Sequence, residues 1–460
     1  MDKAAANLAK EQKELNRLQT QAAKPQSRVG FYYLIFLLSL IYIIDEVASN
    51  ISGTVQSSIV NEFFVQGQGL SFNEGLSALG VISFIPIAIL LVSPFYKALS
   101  DRYGRKIFLS LNTIGMGLGL FICYSSTSLV VYIVGLTVAL FCVSHDMQVV
   151  YIMETAPSKW RATMYSAIKC IASLGILLIP VLRSITMGID ATLWRTIFLF
   201  PAILGVVVGF IAMFTAPESP HFLKSRIAYL QTPPSERLTG KKADAGDKGG
   251  IGRAIKFMFS HKQLRWLSIA NLVFFLSSAA IRYYEPIMSS GGMSTEQITQ
   301  ALFVFPFFNA GLTLLNGLLS DRLGRKITTI LMSGICLAGF VLFVVGANVG
   351  WPPYLIGMLY GSYIGGFNAA GDMLGGIMCG ESAPTQLRAS VIATQTLMLA
   401  LAFVVSQIAL VVLLLTVANI GILCLCIAAP TMLAGLVIFS LKVHDTKGLD
   451  LSTVTGTEWD

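Results

Sequence analysis

The chain has 460 residues, of which 55% are hydrophobic and only 12% are charged, and its mean hydropathy is +0.72. About a quarter of the residues in ordinary soluble domains are charged, so this composition excludes a soluble protein and indicates an integral membrane protein. The net charge of +8 does not indicate nucleic-acid binding, because the basic residues lie in short segments beside apolar runs, where they orient membrane proteins.

Residues 1–28 form a polar segment rich in the helix formers Ala, Leu, Glu, Gln and Lys. The first apolar run begins too far into the chain, and is too long, to be the brief apolar core of a secretory signal. We therefore expect these residues to form a cytosolic N-terminal tail.

Apolar runs of membrane-spanning length, roughly 20 residues each, occur in two groups of six. They lie at about residues 31–53, 76–98, 107–124, 129–152, 163–182 and 194–214, and then at about residues 265–288, 297–317, 328–347, 354–378, 390–414 and 418–441. Connections that contain Lys or Arg alternate with connections that contain neither, which predicts that both termini are cytosolic. The sequence thus predicts an all-α membrane protein with twelve transmembrane helices in two pseudo-symmetric six-helix bundles, residues 29–215 and 264–442.

Residues 216–263 connect the two predicted bundles and are rich in Lys, Gly, Pro and Ser. This composition favours a flexible, basic cytosolic linker. A short amphipathic helix near residues 255–259 is expected to lie on the membrane surface. Residues 443–460 are predicted to form a cytosolic C-terminal tail.

One short basic motif occurs twice, as SDRYGRK before the third apolar run and as SDRLGRK before the ninth. Each copy joins two apolar runs and is predicted to form a tight turn on the cytosolic side. Gly104 and Gly324 permit a positive φ there, and Asp101 and Asp321 can accept hydrogen bonds at the start of a helix.

A second repeat follows the fourth and tenth apolar runs, where Glu154, Pro157 and Arg161 recur with the same spacing as Glu381, Pro384 and Arg388. A carboxylate at the end of one helix and a guanidinium at the start of the next can form a charge-assisted pair. We expect such a pair at the cytosolic rim of each half.

Both repeats resemble loop motifs of the major facilitator superfamily, G-x-x-x-D-R-x-G-R-[RK] and E-x-x-P-x-x-x-R, the second being typical of its sugar porter branch. Gly317 matches the leading glycine in the second copy, whereas Lys97 replaces it in the first. PESP at residues 217–220 and HDTKG at residues 444–448 resemble the P-E-S-P and P-E-T-K-G boxes of sugar porters and organic ion transporters. The resemblance implies the major facilitator fold and gating roles for Asp101, Arg102, Gly104, Arg105, Glu154, Arg161, Asp321, Arg322, Gly324, Arg325, Glu381 and Arg388.

Ionisable side chains inside membrane spans are costly and usually mark transport paths or pair with one another. The predicted spans contain Asp45, Glu46, Asp146, Gln148, Lys169, Arg282, Glu285, Asn368 and Asp372. In the family that the chain resembles, helices one, four, seven and ten line the central cavity, which implies that most of these side chains face the transport path. Arg282 and Glu285, three residues apart, can alternatively neutralise each other, and Arg183 is expected to snorkel to the membrane surface.

The charged positions differ from the sugar-binding positions of sugar porters. Lys169 stands where those proteins have a sugar-binding Gln, and Val273 and Phe274 replace a Gln pair, although the Y-Y-x-P box that follows is kept. No acid lies within one turn of Lys169 on its own helix, so this ammonium is expected to have no partner. Lys169 and Arg282 are therefore predicted to bind a carboxylate substrate from facing halves of the cavity.

The sequence thus predicts a secondary transporter that moves a small charged organic metabolite, with a carboxylate or zwitterion favoured, by alternating access coupled to protons. Sugar or polyol proton symport, export of organic cations or drugs, and a transporter-like nutrient sensor are the alternatives. We expect a monomer in the plasma membrane, with substrate, protons and lipid as partners and with no nucleic acid, cofactor, metal or enzymatic site. The predicted substrate-binding residues are Gln148, Lys169, Arg282, Tyr283, Tyr284, Asn368 and Asp372, and the predicted proton-coupling residues are Asp45, Glu46, Asp146 and Glu285.

Overall fold

The computed structural model describes residues 2–22, 28–90, 96, 104–143, 161–232, 250–384, 387–417 and 419–447. In this part of the chain, ten helices are long and apolar enough to cross a membrane. The prediction of an all-α, multi-pass membrane protein is confirmed.

The helices up to the middle of the chain are α1 (Asp2–Ala22), α2 (Arg28–Asn50), α3 (Gln56–Val60), α4 (Phe72–Ile82), α5 (Phe84–Leu90), α6 (Arg105–Tyr124), α7 (Leu129–Phe141), α8 (Arg161–Gly175), α9 (Leu178–Thr186), α10 (Leu199–Thr215) and α11 (Pro220–Gln231). The helices that follow are α12 (Gly250–Ser260), α13 (Lys262–Phe275), α14 (Tyr284–Ser290), α15 (Thr295–Leu323), α16 (Arg325–Val349), α17 (Pro353–Gly371), α18 (Met378–Glu381), α19 (Arg388–Leu413) and α20 (Ile420–Lys442).

Three predicted spans change their helical geometry instead of ending cleanly. The first passes from α2 into a 3₁₀ turn at Ile51–Thr54, the seventh contains a 3₁₀ segment at Ser278–Tyr283, and the tenth becomes a π-helix at Asp372–Ile377. Departures of this kind from α-helical hydrogen bonding are frequent at functional sites. The second contains Arg282 and Tyr283, and the third contains Asp372, which are predicted site residues.

The chain divides into two compact units. The first contains residues 1–49, 85–175 and 198–248, and the second contains residues 50–84, 176–197 and 249–460. The second unit therefore includes two segments from the first half of the sequence, packed on helices from the second half.

Glycines allow helices of the second unit to approach closely. A Cβ atom on Gly361 of α17 would lie 2.8 Å from Cβ of Phe308 on α15, which is too close for a side chain. Because lipid provides no hydrophobic driving force between helices, small residues that bring backbones together are a main source of packing energy in membranes.

The segment predicted to be a flexible linker contains α11 and α12. Helix α11 begins at a cap in which Ser219 Oγ accepts a hydrogen bond from the Phe222 N–H at 3.3 Å. Its apolar face is buried against α1, with Leu18, Leu223 and Leu230 each less than a tenth exposed. The prediction of a flexible segment is therefore wrong for these described residues, because α1 supplies the apolar partner that α11 needs.

Candidate functional site

A buried polar cluster, which we call the Glu285 cluster, consists of Thr54, Ser57, Arg183, Glu285 and Thr299. Ser57 donates two hydrogen bonds to Oε2 of Glu285, from its backbone N–H at 2.9 Å and from its hydroxyl at 2.8 Å. The Glu285 side chain is only 3% exposed. All five residues belong to the second compact unit, so the cluster joins segments that are distant in sequence.

Arg183 provides the positive charge of this cluster. Its Nε donates to Oγ1 of Thr299 at 3.3 Å, and its Nη1 donates to the carbonyl of Thr54, three residues before the Ser57 that binds Glu285. The residue is 1% exposed, so the expectation that it snorkels to the membrane surface is wrong. Protein acceptors take the place of water around the guanidinium, which makes burial of the charge tolerable.

Arg282 does not neutralise Glu285. Its guanidinium carbon lies 5.1 Å from the centroid of the Phe403 ring, and its side chain is half-buried. In a regular helix, residues three apart share a face, but here a 3₁₀ segment ends at Tyr283 and α14 begins at Tyr284. The change in helical geometry between the two residues accounts for their different partners.

Tyr283 and Tyr284 occupy different packing environments. Gln407 Nε2 donates to the hydroxyl of Tyr283 at 2.8 Å. The ring of Tyr284 stacks on Tyr360 with 4.7 Å between the centroids, and it approaches Gly53 so closely that a Cβ there would lie 3.2 Å from the ring. Both tyrosines therefore pack at the junction between the 3₁₀ segment and α14, beside Arg282.

Asn368 and Asp372 are both exposed and lie at the end of α17 and the start of the following π-helix. Asn368 Nδ2 lies 3.5 Å from Oδ1 of Asn309, at the limit of a hydrogen bond. Their exposure leaves both side chains accessible, as a ligand-binding role requires.

Three predicted residues lie in the first compact unit. Asp45 is fully buried on α2, while Glu46 on α2 and Lys169 on α8 are half-buried. Each of the three makes at least one polar or electrostatic contact. The expectation that Lys169 has no partner is therefore wrong.

Several predicted residues lie outside the part of the chain that the structure describes. These are Asp101, Arg102, Asp146, Gln148 and Glu154, together with the side chains of Arg161 and Arg388. Within the described residues, no group of three or more His, Cys, Asp or Glu side chains could hold a metal ion.

The SDRLGRK motif is organised around Asp445. Oδ1 of Asp445 accepts hydrogen bonds from the backbone N–H groups of Arg325 at 3.0 Å and of Lys326 at 3.4 Å, at the start of α16. Asp321 was expected at this position, but it lies within α15 and binds the Arg325 side chain at 3.0 Å. That expectation is wrong because Gly324, with φ of 99°, turns the chain so that the acid of the HDTKG motif reaches the helix start instead.

The SDRYGRK motif has the same arrangement around Glu218 of the PESP motif. Oε1 of Glu218 accepts hydrogen bonds from the backbone N–H groups of Arg105 and Lys106 at 3.0 and 3.1 Å, beside Gly104 with φ of 109°. Burial raises the pKa of Glu218 above its ordinary value, although the backbone donors act in the opposite direction. In both halves a carboxylate from a distant motif therefore caps the helix that follows the basic turn.

Glu381 links this turn to the end of α18. Its Oε1 accepts from Arg325 Nη2 at 3.2 Å, and its Oε2 accepts from the Thr446 hydroxyl at 2.5 Å. The predicted pair between Glu381 and Arg388 stays a prediction. The exposed side chain of Arg322 makes no contribution to this network, although its carbonyl accepts from Lys447 Nζ at 2.9 Å.

A further charged contact joins Glu62, which lies between the candidate spans Val29–Thr54 and Phe72–Ile89, to Arg195 in the candidate span Ala191–Thr215. Arg195 donates to both oxygens of Glu62, and Trp194 Nε1 donates to Oε2 at 2.8 Å. The Arg195 hydrogen bonds hold the pKa of Glu62 below its ordinary value, although burial acts in the opposite direction. Since Glu62 is 37% exposed, this contact contributes modestly to stability.

The residues that sequence reasoning missed are Ser57, Arg183, Glu218, Gln407 and Asp445. Glu218 and Asp445 stand in recognised motifs, so their motif positions were a usable signal. The signal for Arg183 was a lone cation within an apolar run, which was present but interpreted as structural. Ser57 and Gln407 are ordinary polar residues whose partners only the fold reveals.

Comparison with known proteins identifies a family model and related transporters. A family model described as Major Facilitator Superfamily matches residues 29–407. Plastidic glucose transporter 4 of Arabidopsis thaliana is 25% identical over 50% of this chain and 44% of its own length, and human solute carrier family 2, facilitated glucose transporter member 12, is 33% identical over 31% of this chain and 23% of its own. The chain thus matches less than half the length of either glucose transporter.

Solved structures show the same fold. The xylose transporter XylE from E. coli in its inward open conformation matches 91% of this chain and 99% of its own, with a TM-score of 0.64 and 18% identity. A bacterial homolog of the human lysosomal transporter Spinster matches 91% of this chain and 96% of its own, with a TM-score of 0.61 and 15% identity. At these identities the likeness establishes the architecture.

Proposed function

Because the chain belongs to the Major Facilitator Superfamily, we propose that it is a secondary transporter for a small organic carboxylate, driven by protons through alternating access. The family and the multi-pass helical fold are established, whereas the substrate and the coupling ion are the proposal. The most direct support comes from the surroundings of Arg282.

Arg282 is a half-buried cation in a membrane helix, and Phe403 is the neighbour that its guanidinium contacts. Within the described residues no carboxylate forms an ion pair with it, and Glu285 is held by Ser57. Burying a cation within the membrane costs free energy unless an anion or a polar group pairs with it. A substrate carboxylate, bound in bidentate geometry by the guanidinium, supplies that anion.

Asp45 supports proton coupling. This carboxyl group is fully buried in α2, inside a candidate span from Val29 to Thr54. Carboxyl groups inside membrane spans commonly form proton relays in pumps and transporters, so we assign the coupling proton to this group. Glu46 and Glu285 are further carboxyl groups in candidate spans and remain predicted proton-coupling residues.

The proposed orientation places both termini and the two SDR-x-GRK turns in the cytosol of a cell with this protein in its plasma membrane. It rests on the alternation of basic and neutral connections in the sequence. The turns then act as gates, with Asp321, Arg325 and Glu381 holding helix ends together on that side.

Proton-coupled sugar transport is the second candidate. The named relatives include glucose transporters, and the second unit contains a buried amide network in which Asn271 donates to Gln395 at 2.8 Å and Gln395 donates to Ser268 at 2.7 Å. Uncharged amides of this kind suit the many hydroxyl groups of a sugar.

Ligand-induced stabilisation of the purified protein separates the two candidates. A ligand that binds the folded state raises the unfolding temperature, so a panel of carboxylates, matched amides and hexoses can be compared on wild type and on Arg282→Gln. We expect a carboxylate to stabilise wild type, and Arg282→Gln to lose roughly 2 to 5 kcal/mol of its binding free energy. Arg195→Gln, which removes an arginine already paired with Glu62, is the control and should keep the carboxylate response.

A response of wild type to hexoses alone would contradict the carboxylate proposal and favour the second candidate. Equal carboxylate binding by wild type and Arg282→Gln would show that Arg282 does not hold the substrate.

A further inference from the structure

The Glu285 cluster lies far from the basic turns. Thr299 and Asp321 stand near opposite ends of α15 and are separated by about 33 Å along its axis, at 1.5 Å per residue. The cluster and the SDRLGRK turn therefore occupy opposite ends of the second unit. A gate at the end of the second unit that lies away from the basic turns would therefore involve the Glu285 cluster.

The same end holds a series of contacts between the early segment, residues 50–84, and helices from the second half. Ser77 Oγ donates to the carbonyl of Val411 at 2.9 Å, and Asn73 Nδ2 donates to the carbonyl of Val417 at 3.3 Å. Gly80 lies so close to α19 that a Cβ would stand 2.6 Å from Cγ2 of Val411. These contacts are neutral, and their strength does not change with pH.

The contacts of Glu285 differ because they depend on its charge. As a carboxylate, it accepts two hydrogen bonds from Ser57 through one oxygen, in the same buried cluster as the positive charge of Arg183. Arg183 itself is bound to Thr54 and Thr299, so α9, the 3₁₀ turn at Ile51–Thr54 and α15 meet at this ion. A neutral carboxyl group accepts more weakly and no longer attracts the guanidinium.

From this geometry we propose that the hydrogen bonds of Ser57 to the Glu285 carboxylate, together with those of Arg183 to Thr54 and Thr299, form a lock that holds residues 50–84 and 176–197 against helices of the second half, and that protonation of Glu285 opens it. The inference rests on the proposed proton-driven alternating access and assigns one of its proton-dependent steps. The proton comes from water at this end of the protein and adds to one oxygen of Glu285, with no other covalent change.

The charged and titratable groups that face Glu285 are few. Within the described residues they are the Arg183 guanidinium from α9 and the Tyr284 hydroxyl from α14 itself. Ser57 and Thr54 contribute neutral donors and acceptors from the early segment. Because Glu285 is the one carboxyl group of the cluster, a single proton can switch the lock between two states.

Reporter cysteines measure opening without any substrate. Ser77→Cys places a thiol in the closed contact, where Ser77 is 5% exposed, and Ser110→Cys places a control thiol in α6, where Ser110 is fully buried. Maleimide labelling of each peptide is followed by mass spectrometry and normalised to the labelling of glutathione in the same buffers, which corrects for the pH dependence of thiol chemistry.

We expect normalised labelling at position 77 to be slow near about pH 8 and at least ~10-fold faster near about pH 5.5. An equilibrium linked to one proton changes by up to about tenfold per pH unit, so this interval is wide enough for such a change. Glu285→Gln, which mimics the protonated side chain, should label fast at both pH values. Arg183→Lys keeps the charge and should preserve part of the pH response. Position 110 should remain protected throughout, which separates opening from unfolding.

Labelling at position 77 that is independent of pH in wild type would overturn the lock, and so would slow labelling of folded Glu285→Gln at both pH values. Should Glu285→Gln fail to fold, Ser57→Ala provides the test. Because this variant loses one of the two hydrogen bonds to the carboxylate, the pH at which labelling is half-maximal should rise. An unchanged midpoint of the labelling curve overturns the proposal. Labelling that responds to pH in a protein without proton-driven uptake would contradict the proposed function and leave the lock intact.

Discussion

At the residue scale, Gly324 shows how one backbone conformation positions the hydrogen bonds between Asp445 and the start of α16. A positive φ was predicted from the glycine in each basic motif, and the angles of 99° at Gly324 and 109° at Gly104 confirm it. The partner of the turn was not predictable in the same way. Asp321 is close to the turn in sequence, whereas Asp445 reaches it only because the end of α20 lies beside the start of α16.

We expect Gly324→Ala to destabilise the protein by about 1 to 3 kcal/mol, because residues with a side chain avoid this region of φ. The added Cβ would also collide with the Asp445 carboxylate. The change in unfolding temperature measures the effect. Gly334→Ala is the matched control, since a Cβ there meets no atom within 4 Å and alanine is the better helix former. Equal stability of the two variants would contradict the role of this turn.

Charged residues in apolar runs were the least predictable part of the candidate site. Sequence identifies Arg183, Arg282 and Glu285 as unusual, because each interrupts a span. It does not reveal that Glu285 binds Ser57 and that Arg183 binds Thr54 and Thr299, since these partners are more than 100 residues away in the chain. Spacing along one helix suggested the wrong pair.

At the element scale, apolar length predicted most spans well, but helix breaks were missed. The change from α-helix to 3₁₀ helix at Ser278–Tyr283 and to π-helix at Asp372–Ile377 has no strong local signal, because neither segment contains proline. Tertiary contacts such as the stacking of Tyr284 on Tyr360 favour these conformations over the regular helix. Hydropathy along the sequence indicates which segments lie in lipid, but it does not distinguish an α-helix from a 3₁₀ or π-helix.

Helix α1 illustrates a second limit of sequence reasoning at this scale. Its composition predicted helix-forming residues in a polar tail, and the helix is present. Its packing on α11 was not predicted, because the apolar contacts and the ion pair of Glu14 with Arg226 at 2.9 Å join residues about 200 positions apart.

We expect Leu18→Ala to release α1 from α11, because Leu18 is 8% exposed and packs in a small cluster that a cavity disrupts. The cost is about 2 kcal/mol, near the lower end for a buried leucine. Hydrogen exchange of α1 and limited proteolysis after α1 measure the release. Thr20→Ala, which changes an exposed residue on the same helix, should leave both unchanged. Protection of α1 in Leu18→Ala equal to that in wild type would contradict the docking.

At the scale of the whole molecule, internal duplication was the most informative feature of the sequence. The two basic motifs carry the same capping arrangement, with Glu218 at the start of α6 and Asp445 at the start of α16. Family membership and fold class followed from such repeats. Substrate identity did not, because gate motifs are shared by transporters of many solutes. The division into two six-helix bundles stays a prediction.

The most direct test of the central claim is uptake by purified protein in sealed liposomes under an inward proton gradient, using the carboxylate that stabilises it best. We predict accumulation above the external concentration that a protonophore abolishes. Asp45→Asn should lose this driven uptake and keep exchange of substrate across the membrane, because removal of the coupling carboxyl group separates proton movement from substrate movement. Uptake by wild type that is the same with and without the proton gradient would contradict proton-driven transport.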